Sequence, residues 1–500
     1  MAQKLFQCEV IMSSESIVNY EVRHPEFEDA EYEWRQMRDT VAGSPAVKRS
    51  NSLYLPIPAA MEMANAKRSS QSSLNSSNSA ADKYLITNAP WQHPNRFYSD
   101  YLHRARFPDI TSLTLRALLG IATRKSPVIE LPTSLEYLRK RATPSGLSLN
   151  GLFQHIIAEL LTVGRFSLLV DVRSNGEFSF VPYSAESFTN WKTETEDCEE
   201  YLKLAVLREV GDADDEFSHS TDYNNYLVLR LEEDDNGVIA YSSTRYSDGK
   251  AVEGESVFPA HQGRRSQDIP LFTANATSNG FKVGMSPMIG ISDVAISIYQ
   301  KDADMSQSEY MTCNPWLVFI GIDADDAPKA VGSSLAFVIE NSDGDAKYVE
   351  PTGSSLAHMQ SRINDLFEEG LKYGVALLSS GGAGEAAETV EMRQESQGAT
   401  LRTIVKNAES IIKNAIQFAI DWTGKNEEFR FEANTKFSEH KLQPGELKSL
   451  LEALIEGSIS YQTYFENLKR GGVIADDKDI ETEMSDIKNK MPLISDDLDG

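Results

Sequence analysis

The sequence predicts an α+β fold, in which a mixed part of helices and antiparallel strands is followed by a helix pair and one long helix. Three observations support this class. Short alternating runs fill Phe166 to Ile269, two amphipathic helical patterns flank a short apolar run between 287 and 378, and a longer apolar stripe continues to Trp422. At 500 residues with 41% hydrophobic side chains, the chain is large enough for two to four domains.

The N-terminal part is expected to be mainly helical. Residues 1–23 are interpreted as a loosely attached arm, and Pro25 to Ala42 as a helix that is stopped by Gly43. A run rich in serine and asparagine at 61–83 is predicted to be a flexible loop. Further helices are predicted at 97–107, 112–124, 134–141 and 148–163.

Alternation of apolar and polar residues then indicates β-structure. The runs SLLVDV, FSFVPY, LKLAVLREV, NYLVLRL and VIAYSST are separated by turn signals such as Asn175-Gly176, so an antiparallel sheet is expected. The later run EFRFEANTKF alternates in the same way and is predicted to return to this sheet.

The segment from Ser286 to Gly424 has the most regular pattern in the chain. A helix is predicted from Pro287 to about Met311, and its polar second half, KDADMSQSEYM, cannot be deeply buried. Asn314-Pro315 ends this helix, and the run WLVFIGI that follows is predicted to be a buried strand. A second amphipathic helix is predicted from Ser354 to Leu378.

After a glycine-rich loop, one long helix is predicted up to Trp422, with Gly424 as its C-terminal stop. Pro444 to Lys469 is predicted to be one further helix, and the acidic tail a marginal helix or a disordered end. The apolar stripe of the long helix is the candidate core of this part of the fold: Leu401, Ile404, Val405, Ala408, Ile411, Ile412, Ala415, Ala419 and Trp422.

Composition narrows the function classes. No apolar stretch approaches the roughly 20 residues that a membrane-spanning helix needs, and the N-terminus shows no secretion signal. The cysteines Cys8, Cys198 and Cys313 form no CxxC pair, which favours a reducing compartment over a disulfide framework or a zinc site. The net charge of −27 is uneven, because residues 1–150 hold 18 basic against 15 acidic side chains and the remainder 30 against 60. The sequence therefore shows no basic face of the kind that ordinary DNA-binding proteins use.

No motif indicates catalysis, a metal or a cofactor. GGAGEAAET lacks the Lys-Ser/Thr pair of a phosphate-binding loop and follows a helix instead of a strand. The acidic groups at 323–326 and 232–236 lack the glutamate that a calcium loop needs at its twelfth position, and they are interpreted as solvated turns. The eight histidines form no HExxH pair, and no serine or cysteine lies in a nucleophile motif. The chain is therefore not expected to be an enzyme.

Several stretches carry a resemblance to a known family. Two lie near the N-terminus: HPEFEDAEYEWRQMRDTVAGSPAVK followed by YLP, and RALLGIATRKSPVIELPTSLEYL with its R-K-x-P-x-x-x-L-P turn. LLTVGRFSLLVDV and VPYSAESFTNW follow, and YVEPTGSSLAHMQSRINDLFEEG and AAETVEMRQESQGATLRTI complete the set. In this order, from His24 to about Trp422, they resemble the portal proteins of tailed bacteriophages, the head-to-tail connector family.

The resemblance implies a portal-type fold with a mixed wing domain, a two-helix stem, a small β-rich clip and a short helical crown. The implied boundaries are an N-terminal arm at 1–23, the first part of the wing at 24–286 with the insertion 61–83, stem helices at 287–313 and 354–378, the clip at 314–353, a tunnel loop at 379–390, the long wing helix and return strand at 391–440, and the crown with its acidic tail at 441–500.

The resemblance also implies a function. Portal proteins form a ring, dodecameric in assembled heads, at the unique vertex of the capsid, where DNA passes during packaging and ejection. The implied partners are further copies of the chain, double-stranded DNA, the terminase large subunit, the major capsid protein and head-tail adaptor proteins. The implied location is the virion, with the host cytoplasm during assembly. An acidic wall suits a channel that must not grip phosphates, although an acidic surface also keeps a large protein soluble, and the two interpretations are compatible.

Three groups of residues are singled out. The residues expected in the tunnel loop, facing DNA, are Gly381, Gly382, Ala383, Gly384 and Glu385. The residues expected to contact a neighbouring subunit in the clip are Trp316, Leu317, Val318, Phe319 and Ile320. The residues expected in the core of the long wing helix are Leu401, Ile404, Ile411, Ile412 and Trp422. Two alternatives remain open: an acidic adaptor or scaffold that forms no ring, and a hydrolase with a dispersed site.

Overall fold

The computed structural model of the chain describes residues 19–72, 95–196, 199–211, 224–233, 237–247, 250–251, 256–312, 316–320, 345–349, 354–378, 387–435, 437, 444–455, 458–470 and 480. Helices and antiparallel sheets share this part of the chain, which confirms the α+β class. Contacts divide the chain into two units, residues 1–433 and 434–500. Within the ranges just given, no helix is long and apolar enough to cross a membrane.

Helices make up much of the first unit. They are α1 Pro25–Ala42, α2 Ser44–Arg49, α3 Ala59–Ser72, α4 Arg96–Arg104, α5 Ile110–Ala122, α6 Leu149–Thr162, α7 Ile289–Thr312, α8 Ser354–Leu378 and α9 Ala387–Thr423. Polar side chains cap several N-termini, since Ser148 Oγ accepts from the Gly151 amide at 3.0 Å and Asn95 Oδ1 from the Phe97 amide at 3.1 Å. The predicted helix at 134–141 is reduced to a 3-10 turn, Glu136–Arg139.

The prediction of a loop at 61–83 is wrong for its first part. Helix α3 continues through residue 72, because Ala, Met, Glu, Lys and Arg in AAMEMANAKR favour helix more than the following serines oppose it. Residues 73–83 lie outside the described part of the chain.

The strands form several antiparallel sheets. They are β1 Val128–Glu130, β2 Arg165–Val172, β3 Phe178–Ser184, β4 Phe188–Glu196, β5 Glu199–Glu209, β6 Asn225–Glu233, β7 Ile239–Ser247, β8 Lys250–Ala251, β9 Ala260–His261, β10 Arg264–Arg265, β11 Leu271–Asn275, β12 Trp316–Ile320, β13 Asp345–Val349 and β14 Arg430–Glu432. One sheet has the order β11-β2-β3 and another the order β4-β5-β6-β7-β8. The single sheet predicted from the alternating runs is thus divided, because the 3-10 turn Ala185–Ser187 separates β3 from β4.

The prediction that EFRFEANTKF returns to the main sheet is also wrong. Among the described residues of this run, only Arg430–Glu432 form a strand, and it pairs with β1, with Ile129 opposite Phe431. Phe431 is fully buried, and its ring lies 5.5 Å from the ring of Phe153 on α6 in an edge-to-face arrangement. This short strand therefore serves to place one aromatic side chain against α6.

The five-stranded sheet has two different faces. Ala205, Leu207 and Leu229 face a core that includes Phe27 and Trp34 of α1. Because side chains alternate along a strand, Val206 and Val228 face the opposite side, where Tyr20 covers them. The segment that precedes α1 therefore lies on the outer face of this sheet.

The second unit contains two short helices, α10 Pro444–Ile455 and α11 Tyr461–Arg470. The single helix predicted at 444–469 is therefore wrong. Residues 458–460 are not helical, and Ser460 Oγ caps the next helix by accepting from the Thr463 amide at 3.1 Å.

Candidate functional site

Helices α7 and α8 pack against each other as an antiparallel pair. A Cβ atom added at Gly290 would lie 3.4 Å from the Tyr373 ring, and one added at Gly370 would lie 3.1 Å from Val294 Cγ1. Contacts closer to the C-terminus of α7 are thus made by residues closer to the N-terminus of α8. Val294, Ile298, Ile363 and Leu366 are buried between the helices. The pairing requires close backbone approach, which the two glycines permit.

The polar second half of α7 is held by hydrogen bonds to the region of α4. The Tyr101 hydroxyl donates to Asp304 Oδ1 at 2.6 Å, Arg104 Nη2 to Gln307 Oε1 at 2.5 Å, and the Arg106 amide to Asp302 Oδ2 at 2.7 Å. Burial, together with the bond to Asp304, raises the pKa of Tyr101, so its hydroxyl stays protonated as a donor. This end of α7 is therefore fixed by directional polar contacts, with Ala303 as its buried apolar residue.

The helix pair also exposes large apolar side chains. Tyr310 and Met311 lie at the C-terminal end of α7, and Phe367 and Tyr373 lie on α8, all exposed in the single chain. The Arg104 guanidinium lies 4.4 Å from the centre of the Tyr310 ring. Aromatic side chains exposed on two packed helices are typical of surfaces that are covered in an assembly.

In chain order, the hairpin of β12 and β13 follows α7 and precedes α8. Trp316 is opposite Val349 and Ile320 is opposite Asp345, so the strands pair over their full described length. Leu317, Val318 and Phe319 complete β12, as predicted from the sequence. The expectation of a buried strand is wrong for Val318 and Ile320, which are exposed. They share one face of the strand, and both side chains are open to solvent in the single chain.

The long helix α9 supplies much of the core of the first unit. Leu401, Ile404, Ile411, Ile412 and Trp422, the five residues singled out from its pattern, are all buried. The helix contacts α6, β2, β11 and α8.

Contacts at its C-terminal end fix the register of α9 on the three-stranded sheet. The Phe418 ring lies 5.8 Å from Phe272 of β11 and 5.3 Å from Trp422, and Trp422 Nε1 donates to the Arg264 carbonyl at 2.8 Å. About three turns earlier, Asn407 Nδ2 donates to the Asn275 carbonyl at 3.0 Å. Apolar contacts thus bury the helix, and the two hydrogen bonds set its position along the sheet.

The predicted tunnel residues Gly381, Gly382, Ala383, Gly384 and Glu385 lie outside the described residues. In the chain they follow α8 and precede α9. Within the described ranges, no three His, Cys, Asp or Glu side chains are grouped so that they could hold a metal ion.

Two charge clusters, each built around at least one buried charged side chain, were not predicted from the sequence. In the first, Arg38 of α1 forms bidentate hydrogen bonds with Glu159 of α6, at 2.7 and 2.6 Å, and with Glu186, at 2.8 and 3.0 Å. Burial alone would lower the pKa of Arg38, but its bonds to the two glutamates outweigh this effect and raise it. One signal was available: Glu159 interrupts the apolar run IIAELLTVGRFSLLV, where a charge needs a partner.

The second cluster is built around Arg165, the other charge in that apolar run. Its side chain is fully buried, with Cζ 4.1 Å from the centre of the Trp191 ring and 4.6 Å from that of Phe188. It donates long hydrogen bonds to the carbonyls of Phe188, at 3.5 Å, and Phe281, at 3.3 Å. Burial lowers the pKa of Arg165 to about 9, an effect that nearby Glu26 opposes. Arg165 thus remains a cation at neutral pH, in contact with the rings of Trp191 and Phe188.

Comparison with known proteins gives two kinds of result. Residues 287–423, from the start of α7 to the end of α9, match the family described as "Domain of unknown function (DUF4055)". No curated protein matches the chain in sequence.

Solved structures with a similar chain include three of gene transfer agent (GTA) particles. A chain in the virion of the native particle is 13% identical, with a TM-score of 0.35, over 70% of this chain and 87% of that one. A chain in the neck of the empty particle, computed with C6 symmetry, is 15% identical, with a TM-score of 0.37, over 73% and 90%. A chain in the neck of the native particle, computed with C12 symmetry, is 13% identical, with a TM-score of 0.32, over 72% and 89%.

Proposed function

We propose that this chain is a phage portal protein: a ring-forming subunit at one vertex of a capsid, through which DNA enters and leaves. The portal-like motifs in the sequence support the proposal, because their order along the chain follows that of the family. On this proposal the chain is a structural conduit without catalytic activity. Its partners are further copies of itself, double-stranded DNA, the terminase large subunit, the major capsid protein and head-tail adaptor proteins.

One structural observation carries the proposal. Two antiparallel helices, α7 and α8, are joined at one end through the hairpin β12–β13, and at the other end α8 leads into the long helix α9 on the three-stranded sheet. This succession of elements is what a stem, a clip and a wing require. A long amphipathic helix pair with a hairpin at its tip has little purpose in an isolated subunit, because it leaves aromatic side chains in water.

A ring explains the exposed apolar residues on the pair. Closed rings with cyclic symmetry use heterologous interfaces, in which a different patch of the subunit meets each neighbour. On this proposal, Phe367 and Tyr373 of α8 contact an adjacent copy, and Val318 and Ile320 of the hairpin do the same at the tip. The burial of such residues in the assembly removes apolar surface from water and favours ring closure.

The charge of the chain is consistent with a channel for DNA. Residues 151–500 carry 60 acidic against 30 basic side chains. In a ring, each acidic residue on the inner wall repeats in every subunit, so phosphates are repelled along the whole path and friction stays low. Glu385, beside the glycine-rich segment Gly381–Gly384, is the residue proposed for the narrowest part of the channel.

The assembly state of the purified chain tests the proposal. Mass photometry is expected to show particles of about twelve times the 55.6 kDa chain mass, and negative-stain electron microscopy is expected to show rings with a central hole. Monomers that persist at high concentration would contradict the proposal and favour an acidic adaptor that forms no ring.

Two matched variants locate the interface. Phe367→Asp, on the exposed side of α8, is expected to reduce the fraction of rings and leave monomer stability nearly unchanged. Tyr32→Asp is the control, because Tyr32 is an even more exposed aromatic residue and belongs to α1, which is not part of the helix pair. An equal loss of rings in both variants would argue against α8 as the subunit contact.

A further inference from the structure

The segment Asn19–His24, here called the strap, covers the outer face of the five-stranded sheet with Tyr20 and contacts the edge strand β4 at Thr189, Asn190 and Trp191. The Tyr20 ring stacks on Tyr246 at 4.6 Å and tilts over Tyr226 at 5.1 Å. Asn190 Nδ2 donates to the Val22 carbonyl at 2.7 Å, and the His24 amide donates to the Thr189 carbonyl at 2.9 Å. The strap is therefore held at three successive points along its length.

His24 connects the strap to helix α1 and to the sheet. It is the N-cap residue of α1, and its Nδ1 accepts a hydrogen bond from the Glu26 amide at 3.2 Å. An imidazole nitrogen that accepts must carry no proton, so this contact requires the neutral ring with its proton on Nε2. The same ring stacks on Trp191, with centres 3.8 Å apart and an angle of 17°.

Trp191 also has Arg165 against it. The Arg165 guanidinium lies 4.1 Å from the centre of the indole ring, and it is fully buried. Trp191 therefore contacts both the His24 ring and a buried cation. The other charged group that acts on His24 is Glu26, whose carboxylate accepts from the Val283 amide at 2.9 Å.

We propose that His24 is a proton-operated latch, which holds the strap on the sheet when neutral and releases it when protonated. Protonation places an N–H on Nδ1, where it faces the Glu26 amide donor, so the cap hydrogen bond is lost. It also adds a positive charge at the N-terminus of α1, which the helix dipole disfavours, and a second cation beside Trp191. Release of the strap uncovers Val206 and Val228 under Tyr20 and leaves the rest of the first unit folded.

The direction of the pH dependence follows from the same contacts. Burial lowers the pKa of His24 below its ordinary value of 6.5, Glu26 opposes this shift, and Arg165 adds to it. At pH values below 6.5, His24 therefore binds a proton more readily in the released strap than in the attached strap. Attachment is therefore complete above pH 6.5 and is lost as the pH falls through the lowered pKa.

Hydrogen exchange of the full-length protein at pH 7.5 and 5.0 tests the latch, with rates corrected for the intrinsic effect of pH. The reporters are the amides of His24 and Glu26, which are bonded to the Thr189 carbonyl and to Nδ1. Their protection is expected to fall about three- to tenfold at pH 5.0, since a single proton changes it by at most tenfold per pH unit. Protection in α9 between Ile411 and Ile420 is expected to stay unchanged.

Three outcomes would overturn the proposal: no loss of protection in the strap, an equal loss in α9, or the same loss in His24→Asn. Asparagine keeps an N-cap acceptor but does not titrate, so in this variant protection is expected to be equal at both pH values. His24→Ser, which also caps, replaces it if the asparagine variant fails to fold. His155→Asn is the matched control and is expected to behave like the parent, because His155 contacts Phe166 and not the strap.

Discussion

Replacement of Arg38 by methionine is expected to destabilise the first unit strongly. Arg38 is the cation that compensates two carboxylates, Glu159, which is 8% exposed, and the half-buried Glu186. In Arg38→Met these carboxylates remain close together without a counter-charge. Breaking a buried pair from one side costs about 3–5 kcal/mol, and the Arg38 side chain is 35% exposed, so the lower end applies. We expect a loss of about 3 kcal/mol, which is more than a hundredfold in the unfolding equilibrium.

The loss of stability in Arg38→Met is expected to depend on pH. Burial opposes ionisation of Glu186, but its hydrogen bonds to Arg38 outweigh burial and hold its pKa below the ordinary value of 4.5. In the parent protein, the pairing of ionised Glu186 with Arg38 stabilises the fold above pH 4.5, and this stabilisation is lost as the pH falls through the lowered pKa of Glu186. In the variant, protonation of one carboxylate relieves the repulsion. The difference between parent and variant is therefore largest at pH 7.5 and smaller near pH 4.5.

Urea unfolding followed by tryptophan fluorescence measures this difference, since Trp34 and Trp191 belong to the core beside the cluster. Arg139→Met is the control, because Arg139 pairs with Glu136 on the surface and its loss is expected to have no measurable effect. The triple variant with methionine at 38, 159 and 186 is expected to regain most of the stability, because no unpaired charge remains. A loss below 1 kcal/mol, a loss independent of pH, or a triple variant as unstable as Arg38→Met would refute this reasoning.

Three further predictions concern the elements of the proposed ring. Ile412→Asp places a charge in the buried face of α9 and is expected to cost about 4 kcal/mol, so a soluble, ring-forming variant would disprove the assignment of that face. Val318→Pro removes a ladder donor from β12 and is expected to lower the ring fraction in sedimentation more than the monomer melting temperature, whereas an equal loss of both would identify the strand as internal core. Glu385→Lys is expected to leave assembly intact and slow DNA packaging or release in reconstituted heads, and deletion of Gly381–Gly384 is expected to impair retention of packaged DNA. Parent-like behaviour of both loop variants would exclude this loop as the constriction.

Helices with a long apolar stripe could be predicted closely from the sequence. The predicted span of α8, Ser354–Leu378, agrees with the structure, and α6 and α7 differ from prediction by one or two residues at each end. Each of these helices buries apolar side chains on one face, so the local pattern contains the tertiary information. The failures lie where that condition is missing. In EFRFEANTKF only Phe431 is buried, so its alternation says little about which strand it pairs with.

The buried charges show a different limit. Arg38 and Glu159 are 121 residues apart, and Arg165 lies 23 residues from the carbonyl of Phe188 that it contacts. No local spacing relates such residues, so a sequence pattern can show only that a charge interrupts an apolar run. That interruption still carries information, because Glu159 and Arg165 are both buried. A charge within a run of this kind predicts a distant partner, of opposite charge or aromatic, without identifying it.

The attachment of α7 has a consequence for the proposed stem. The first half of α7 is held by apolar burial, in which Ala295 and Tyr299 pack on the core of α4, and by hydrogen bonds from Gln36 of α1 to Ser292 and Asp293. The second half is held by the hydrogen bonds of Asp302, Asp304 and Gln307 to the Tyr101–Arg106 region. Apolar contacts tolerate small sliding, whereas these hydrogen bonds are lost over less than 1 Å of displacement. Because the α4 contacts extend along both halves, a shift of the stem must carry α4 with it, and movement at the hairpin end would reach the N-terminal helices as a rigid-body displacement.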